Sequence, residues 1–220
     1  GINKSDTKQV SINDILEPVL VLLEGRFQRG VTTIALESNI PEQGQIPSIN
    51  CYPKDLSQVL LGILENAADA IEKEVRSPDS RHFEQRSPKI EISAYFINRD
   101  QNPCVEIVIS NNGPAIPLHI QEKIFDPFFT TKDVGEGTGI GLSVAYQTIA
   151  YQHQGKVWCE SNRDHTSFYI QLPLDRERQR IRSLNAAVVA NSKVSSESAV
   201  NKNNRAGKDD FKKPNNSPTY

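Results

Sequence analysis

Apolar residues at Ile12, Ile15, Leu16, Val19, Leu20, Leu22 and Leu23 recur with helical spacing. They predict a helix from Ile12 to about Gln28, with Ser11 as its N-cap. Pro18 falls inside this pattern and calls for a bend or a late start. Val31 to Glu37 alternates and predicts a strand, residues 41–47 a loop, and Ile49 to Tyr52 a short strand. Pro53 opens a second helix at its first position, Asp55 places favourable charge in its first turn, and the pattern runs to about Val75. Leu60, Leu61, Leu64, Ala67, Ala68 and Ile71 define its apolar face.

Arg76 to Pro88 is polar and reads as a loop. Lys89 to Asn98 and Cys104 to Asn111 read as strands joined by residues 99–103. Pro117 to Ile124 reads as a short helix, and Asp126 to Gly137, which has no period, as a mobile loop. A helix follows from Thr138 to Gln152, with Gly155 as its C′ residue, then strands at Lys156 to Ser161 and Thr166 to Leu172. Runs of strands after two helices predict an α+β fold. The expected architecture is a two-layer α/β sandwich, with a mixed, mostly antiparallel sheet covered on one face by helices. The folded domain is placed at residues 10–174, after a linker at 1–9 and before a disordered basic tail at 175–220, which is rich in Asn, Ser and Lys.

Charge sharpens this division. Residues 175–220 carry ten Lys/Arg against five Asp/Glu, and the other 174 carry fifteen against twenty-two. An acidic folded part argues against a nucleic-acid surface. The three cysteines, Cys51, Cys104 and Cys159, have no metal-site spacing and fit buried thiols in a reducing cytosol. No apolar run approaches the ~18–20 residues that span a bilayer, so no membrane contact is expected. The chain opens on Gly1 and has no methionine, which suggests a fragment of a larger protein.

Four stretches carry candidate chemistry. Gly135 to Ser143 alternates glycine with other residues and runs into a helix, which suits a phosphate cradle as well as a plain turn. On the second helix, Asn66 and Asp69 lie at i, i+3, so they point the same way. An amide and a carboxylate together suit a hydrated Mg²⁺, or are an ordinary solvated helix edge. The strand Ile107 to Ser110 ends in Asn111-Asn112-Gly113, either a reader of a flat heterocycle or a surface turn. Phe125, Phe128 and Phe129 precede Thr130-Thr131-Lys132, an aromatic anchor followed by a lysine able to meet a terminal phosphate.

In this order the stretches resemble the N, G1, F and G2 boxes of the ATP-binding catalytic domain of sensor histidine kinases, within the superfamily that includes gyrase, Hsp90 and MutL. The resemblance covers about residues 10–174. Phe125-Asp126-Pro127-Phe128-Phe129-Thr130-Thr131-Lys132 followed by Gly137-Thr138-Gly139-Ile140-Gly141-Leu142 points to the kinases among these. It implies a Bergerat-type ATP-binding fold with ATP and Mg²⁺ as cofactors. Asn66 matches the Mg²⁺-binding asparagine, and Asp69 lies near the nucleotide. Asn111 stands where the family usually has the aspartate that binds the adenine amino group. Gly113 lets the backbone meet the base, and Ile116 accompanies it. Lys132 and residues 126–137 match the lid over ATP. Gly137, Thr138, Gly139, Gly141 and Leu142 match the phosphate cradle, and Thr166 the threonine near adenine.

Departures qualify these roles. A neutral Asn111 accepts more weakly than a carboxylate, so weaker adenine binding is expected. Ala115 replaces a second glycine. Gly62 stands where ATPase relatives carry a glutamate base, so efficient transfer to water is not expected. None of His82, His119, His153 and His165 fits an acceptor histidine followed by an acidic residue. The resemblance therefore implies a cytoplasmic catalytic domain that presents the γ-phosphate of Mg·ATP to a histidine on a dimerisation domain of the parent protein. That acceptor is expected upstream of Gly1, by about 60–80 residues in the family pattern, or in another chain. The phosphate then passes to a response-regulator receiver domain. The alternatives are a degenerate nucleotide-binding scaffold, supported by Asn111 and Ala115, and a serine kinase or ATPase of the same superfamily.

Overall fold

A computed structural model describes residues 7–78, 83–84, 86–99, 102–132 and 137–174. The expected tail at 175–220, His82, most of the linker and the centre of the expected lid lie outside the described residues. The chain orders as β1 (Lys8–Val10), α1 (Ile12–Arg29), β2 (Ala35–Asn39), β3 (Ile49–Cys51), α2 (Pro53–Arg76), β4 (Lys89–Arg99) and β5 (Asn102–Asn111). It continues as α3 (Leu118–Gln121), α4 (Gly141–Gln147) with a π-helical turn at Thr148–Gln152, β6 (Lys156–Ser161) and β7 (Thr166–Pro173).

Five strands form one mixed sheet in the order β2-β4-β5-β7-β6. β2 runs parallel to β4, and every other neighbour is antiparallel. Alternation along β5 and β7 sends Val105, Ile107, Ile109, Ile170 and Leu172 inward, where they are buried with α1 and α2. The opposite face carries Glu91, Glu106 and Tyr95, the last 51% exposed. The two-layer α+β sandwich is thus the observed architecture.

α1 begins where the sequence places it. Ser11 Oγ accepts from the Asp14 amide at 3.1 Å and Asp14 Oδ2 accepts from the Ser11 amide at 3.3 Å, a reciprocal cap. Pro18 lies inside the helix, which continues through it. α2 opens on Pro53 and buries Leu56, Val59, Leu60, Ile63, Leu64, Ala67, Ala68 and Ile71. Leu61, expected on that face, is only half-buried.

Four expectations are corrected. Lys8 and Gln9, assigned to a linker, pair with Cys51 and Asn50 in a two-stranded ribbon. A three-residue strand carries too little pattern to declare itself. β2 begins at Ala35 rather than Val31, because the Ile34 amide still donates back to the Phe27 carbonyl at 2.9 Å. The last helix starts at Gly141 rather than Thr138, so Gly137, Thr138 and Gly139 precede it. At its far end Gln154, not Gly155, holds the left-handed conformation, with φ 55°.

His153 fastens this helical segment to α2. Its ring is buried and edge-on to Tyr52 at 5.5 Å. Nε2 accepts from the Tyr52 amide at 3.0 Å, so Nδ1 carries the proton and donates to the Thr148 carbonyl at 2.9 Å. Tyr52 is the N-cap residue of α2 and offers no side-chain cap of its own.

Candidate ATP-binding site

α2 presents two of the expected residues on its flank. Asn66 is half-buried, and its amide has no hydrogen-bond partner among the described residues. One turn on, Asp69 is held by two cations. Arg26 Nη2 of α1 donates to Oδ1, and Lys132 Nζ donates to Oδ2. Arg26 also reaches both carboxylate oxygens of Glu72 at 3.3 Å. Burial pushes the Asp69 carboxyl up, but the hydrogen bonds and charges of Lys132 and Arg26 more than offset this and hold it below the usual carboxylate range. The charged form is therefore intact at neutral pH. The stability it contributes is lost only as pH falls through that lowered value, below about 3.9.

The strand ends supply a second cluster. Asn111 closes β5 opposite Thr166 of β7 and is 4% exposed. Its Oδ1 accepts from the Gly113 amide at 3.0 Å, and its Nδ2 donates to the Thr166 carbonyl at 3.4 Å. These two backbone partners fix which end of the amide points where. Thr166 Oγ1 shares a 2.6 Å hydrogen bond with Ser161 Oγ, which accepts from the Ile116 amide at 2.8 Å. Asn112 does something different: its Oδ1 accepts from the Lys89 amide at 2.8 Å and its Nδ2 donates to Ser87 O at 2.8 Å, clamping the start of β4. A Cβ on Gly113 would sit 2.9 Å from Asn111 Oδ1 and 3.4 Å from Ile71 Cγ1 of α2. This glycine therefore sets how closely the strand-end turn approaches the helix.

The loop side separates glycines that the sequence treats alike. Gly137 lies against Thr130 and Lys132, with an added Cβ 2.7 Å from Thr130 Oγ1. Gly139 is left-handed at φ 64°, and its carbonyl accepts from the Phe128 amide at 3.0 Å. Thr138 Oγ1 accepts from the Ile140 amide at 3.4 Å, and Leu142 packs against the core. Gly141 opens α4, where no side chain caps the first amides. The phenylalanines also divide. Phe125 meets Phe168 edge-on at 6.4 Å and Tyr146 at 6.1 Å, and Phe129 packs on the core. Phe128 is 78% exposed.

The structure thus gathers Asn66, Asp69, Lys132 and Gly137 along α2, and Asn111, Gly113, Ile116 and Thr166 at the strand ends. Ile71 of α2 lies between the two groups. Arg26, Glu72 and Ser161 escaped the sequence reading. Arg26 and Glu72 belong to no motif, and only the apposition of α1 and α2 reveals them. Cys159 offers no nucleophile: burial and then the neighbouring Glu160 charge push its thiol up to about 12. Among the described residues, no group of three His, Cys, Asp or Glu side chains is placed to hold a metal.

Residues 51–176 match the family described as "Histidine kinase-, DNA gyrase B-, and HSP90-like ATPase". The chain belongs to that family. Its curated relatives include the sensory histidine kinase/phosphatase NtrB of Rhizobium leguminosarum bv. phaseoli, 28% identical over 170 residues, and the signal transduction histidine-protein kinase AtoS of Escherichia coli (strain K12), 37% identical over 154. These alignments cover 76% and 70% of this chain but only 42% and 21% of the relatives. Among solved structures, the catalytic domain of histidine kinase ThkA matches with a TM-score of 0.62 at 26% identity, covering 78% of this chain and 98% of that one. Within the family, then, the chain is a catalytic ATP-binding domain of the sensor histidine kinase kind.

Proposed function

We propose that this domain binds Mg·ATP between α2, the strand ends and residues 126–132 and 137–141, and delivers the γ-phosphate to a histidine on a dimerisation domain of the parent protein. The observation that carries this is the half-buried Asn66 amide, without a hydrogen-bond partner among the described residues and one helical turn from the carboxylate that holds Lys132. An amide oxygen not engaged by the described residues suits a Mg²⁺ that keeps most of its ligands from water and phosphate. The ion supplies charge neutralisation on the phosphates.

The chain's own residues do the rest. Asn111 and Thr166 meet the adenine, with Gly113 and Ile116 bringing the backbone alongside the base. Lys132 places a point charge beside the terminal phosphate. Gly137, Thr138, Gly139, Gly141 and Leu142 present backbone amides to the phosphates. Such phosphoryl transfer rests on positioning and electrostatics. Gly62 provides no base for water, which favours transfer to an acceptor over hydrolysis.

The acceptor comes from elsewhere. His153 has both ring nitrogens engaged, and the exposed His119 is followed by Ile120 rather than an acid. A response-regulator receiver domain takes the phosphate next. The histidine kinase ThkA is solved in complex with the response regulator TrrA, a precedent for that partner. Three cysteines without metal-site spacing suit a cytoplasmic setting.

Calorimetric titration tests the proposal. ATP binds in the micromolar to millimolar range, Mg²⁺ tightens it, and Asn66→Ala abolishes the Mg²⁺-dependent increment, about tenfold or more. Absence of ATP binding at millimolar concentrations overturns it.

A further inference from the structure

Asp69 and Lys132 are 63 positions apart and belong to different parts of the fold. Lys132 is the last described residue before 133–136, and Asp69 lies on the rigid α2. The pair is not isolated. Both oxygens of Asp69 are engaged, one by Lys132 and one by Arg26. Arg26 is in turn shared with Glu72, whose side chain is only 13% exposed. Two cations and two carboxylates form a balanced set linking α1, α2 and the loop stem. Both oxygens of Asp69 thus meet cations, whereas Asn66 one turn earlier has no hydrogen-bond partner among the described residues.

We infer that Asp69 is a positioning residue that works through Lys132: it parks the lysine ammonium against α2, Arg26 braces it there, and a nucleotide phosphate must take the ammonium from it. This rests on the ATP-site reading above and deepens it. A lysine bears one compact charge on three donors, so the attraction it lends a phosphate is weakened for as long as a carboxylate shares that charge. Loading the site therefore exchanges one anionic partner for another. After the exchange Asp69 keeps Arg26, so its charge is not stranded. The pair is about one-third exposed on each side, so water and salt screen it and the exchange is easy.

Two measurements test this. In the first, limited trypsinolysis without nucleotide follows the fragment ending at Lys132 by mass spectrometry, since trypsin must accept that side chain. Asp69→Asn is expected to cleave there several-fold faster than the wild type, at a temperature where circular dichroism shows both proteins fully folded. Equal rates overturn the parking contact. In the second, ATP affinity is measured in a double-mutant cycle. Asp69→Asn alone is expected to tighten ATP binding by about two- to fivefold, the range of an exposed ion pair. In a Lys132→Met background the same change is expected to have no effect. Weaker ATP binding in Asp69→Asn overturns the inference, because Asp69 then holds the nucleotide itself. So does equal tightening in both backgrounds, which would reflect only a change in the local field. Should the wild type bind no ATP, the function proposal falls, and the proteolysis still decides whether Asp69 parks the lysine.

Discussion

Replacing Gly139 with alanine weakens ATP binding by at least about tenfold while the sheet and α2 stay folded. Two costs meet at this residue. The left-handed φ of 64° disfavours any side chain, by about 1–2 kcal/mol. A Cβ would also stand 2.5 Å from the Phe128 carbonyl carbon and 2.7 Å from its oxygen. Those are backbone atoms, so a rotamer change cannot relieve the overlap. The loop must move and give up the Phe128 amide to Gly139 carbonyl hydrogen bond, or bear the strain whenever nucleotide is bound. A loss above about 1.4 kcal/mol is tenfold in affinity. Gly25→Ala, inside α1 and outside the nucleotide site, is the control: a Cβ there meets nothing within 4 Å. It leaves binding within about twofold, and alanine is the better helix former. Calorimetric titration of both variants beside their melting curves separates a site effect from unfolding. Equal affinity in Gly139→Ala and the wild type would falsify the assignment of this turn to the nucleotide site.

Gly155→Ala is the larger stability change. An added Cβ would lie 2.3 Å from the Gln171 carbonyl oxygen of β7 and 3.1 Å from Ile149 Cγ2. The glycine amide also donates to the Ile149 carbonyl at 2.8 Å, so the residue cannot swing aside without losing that bond. Overpacking of a fixed backbone costs about 3 kcal/mol. For a domain of this size that lowers the melting temperature by about 6–12 °C. Thermal unfolding followed by circular dichroism reads it, and a shift under about 2 °C would show that the approach of β6 to β7 has slack. Gly155 is thus required for closeness, whereas the left-handed turn expected of it falls to Gln154.

How much could be read from the chain depends on where each signal lies. α2 was legible almost to the residue, because Pro53 marks its start and eight buried positions repeat with its period. β5 was legible because burial alternates along it. β2 was not: four of its five residues are exposed and it pairs in parallel at the sheet edge, so no alternation fixes its ends. β1 is specified by its partner Ile49–Cys51 rather than by its own three residues. The positions of the nucleotide-site candidates could be anticipated from the ordered motifs, yet not their present partners. Asp69 reads as an open carboxylate in sequence and is closed by two cations in space. Phe128 reads as part of an aromatic anchor, but its φ of 67° turns it outward, away from Phe125 and Phe129. Such reversals arise wherever a residue's neighbour is set by tertiary contact, which local pattern does not encode.

The β1–β3 ribbon has a mechanical side. β3 ends one residue before the N-cap of α2, and β1 ends one residue before the N-cap of α1. A tug on Lys8–Val10 therefore bears on the head of α2 through paired strands and, through α1 and Arg26, on its shaft at Asp69. α2 is a stiff rod of about 36 Å, gripped at two points by the incoming chain. Torque delivered at the N-terminal edge would pivot the Asn66 flank rather than dissipate in a slack tether.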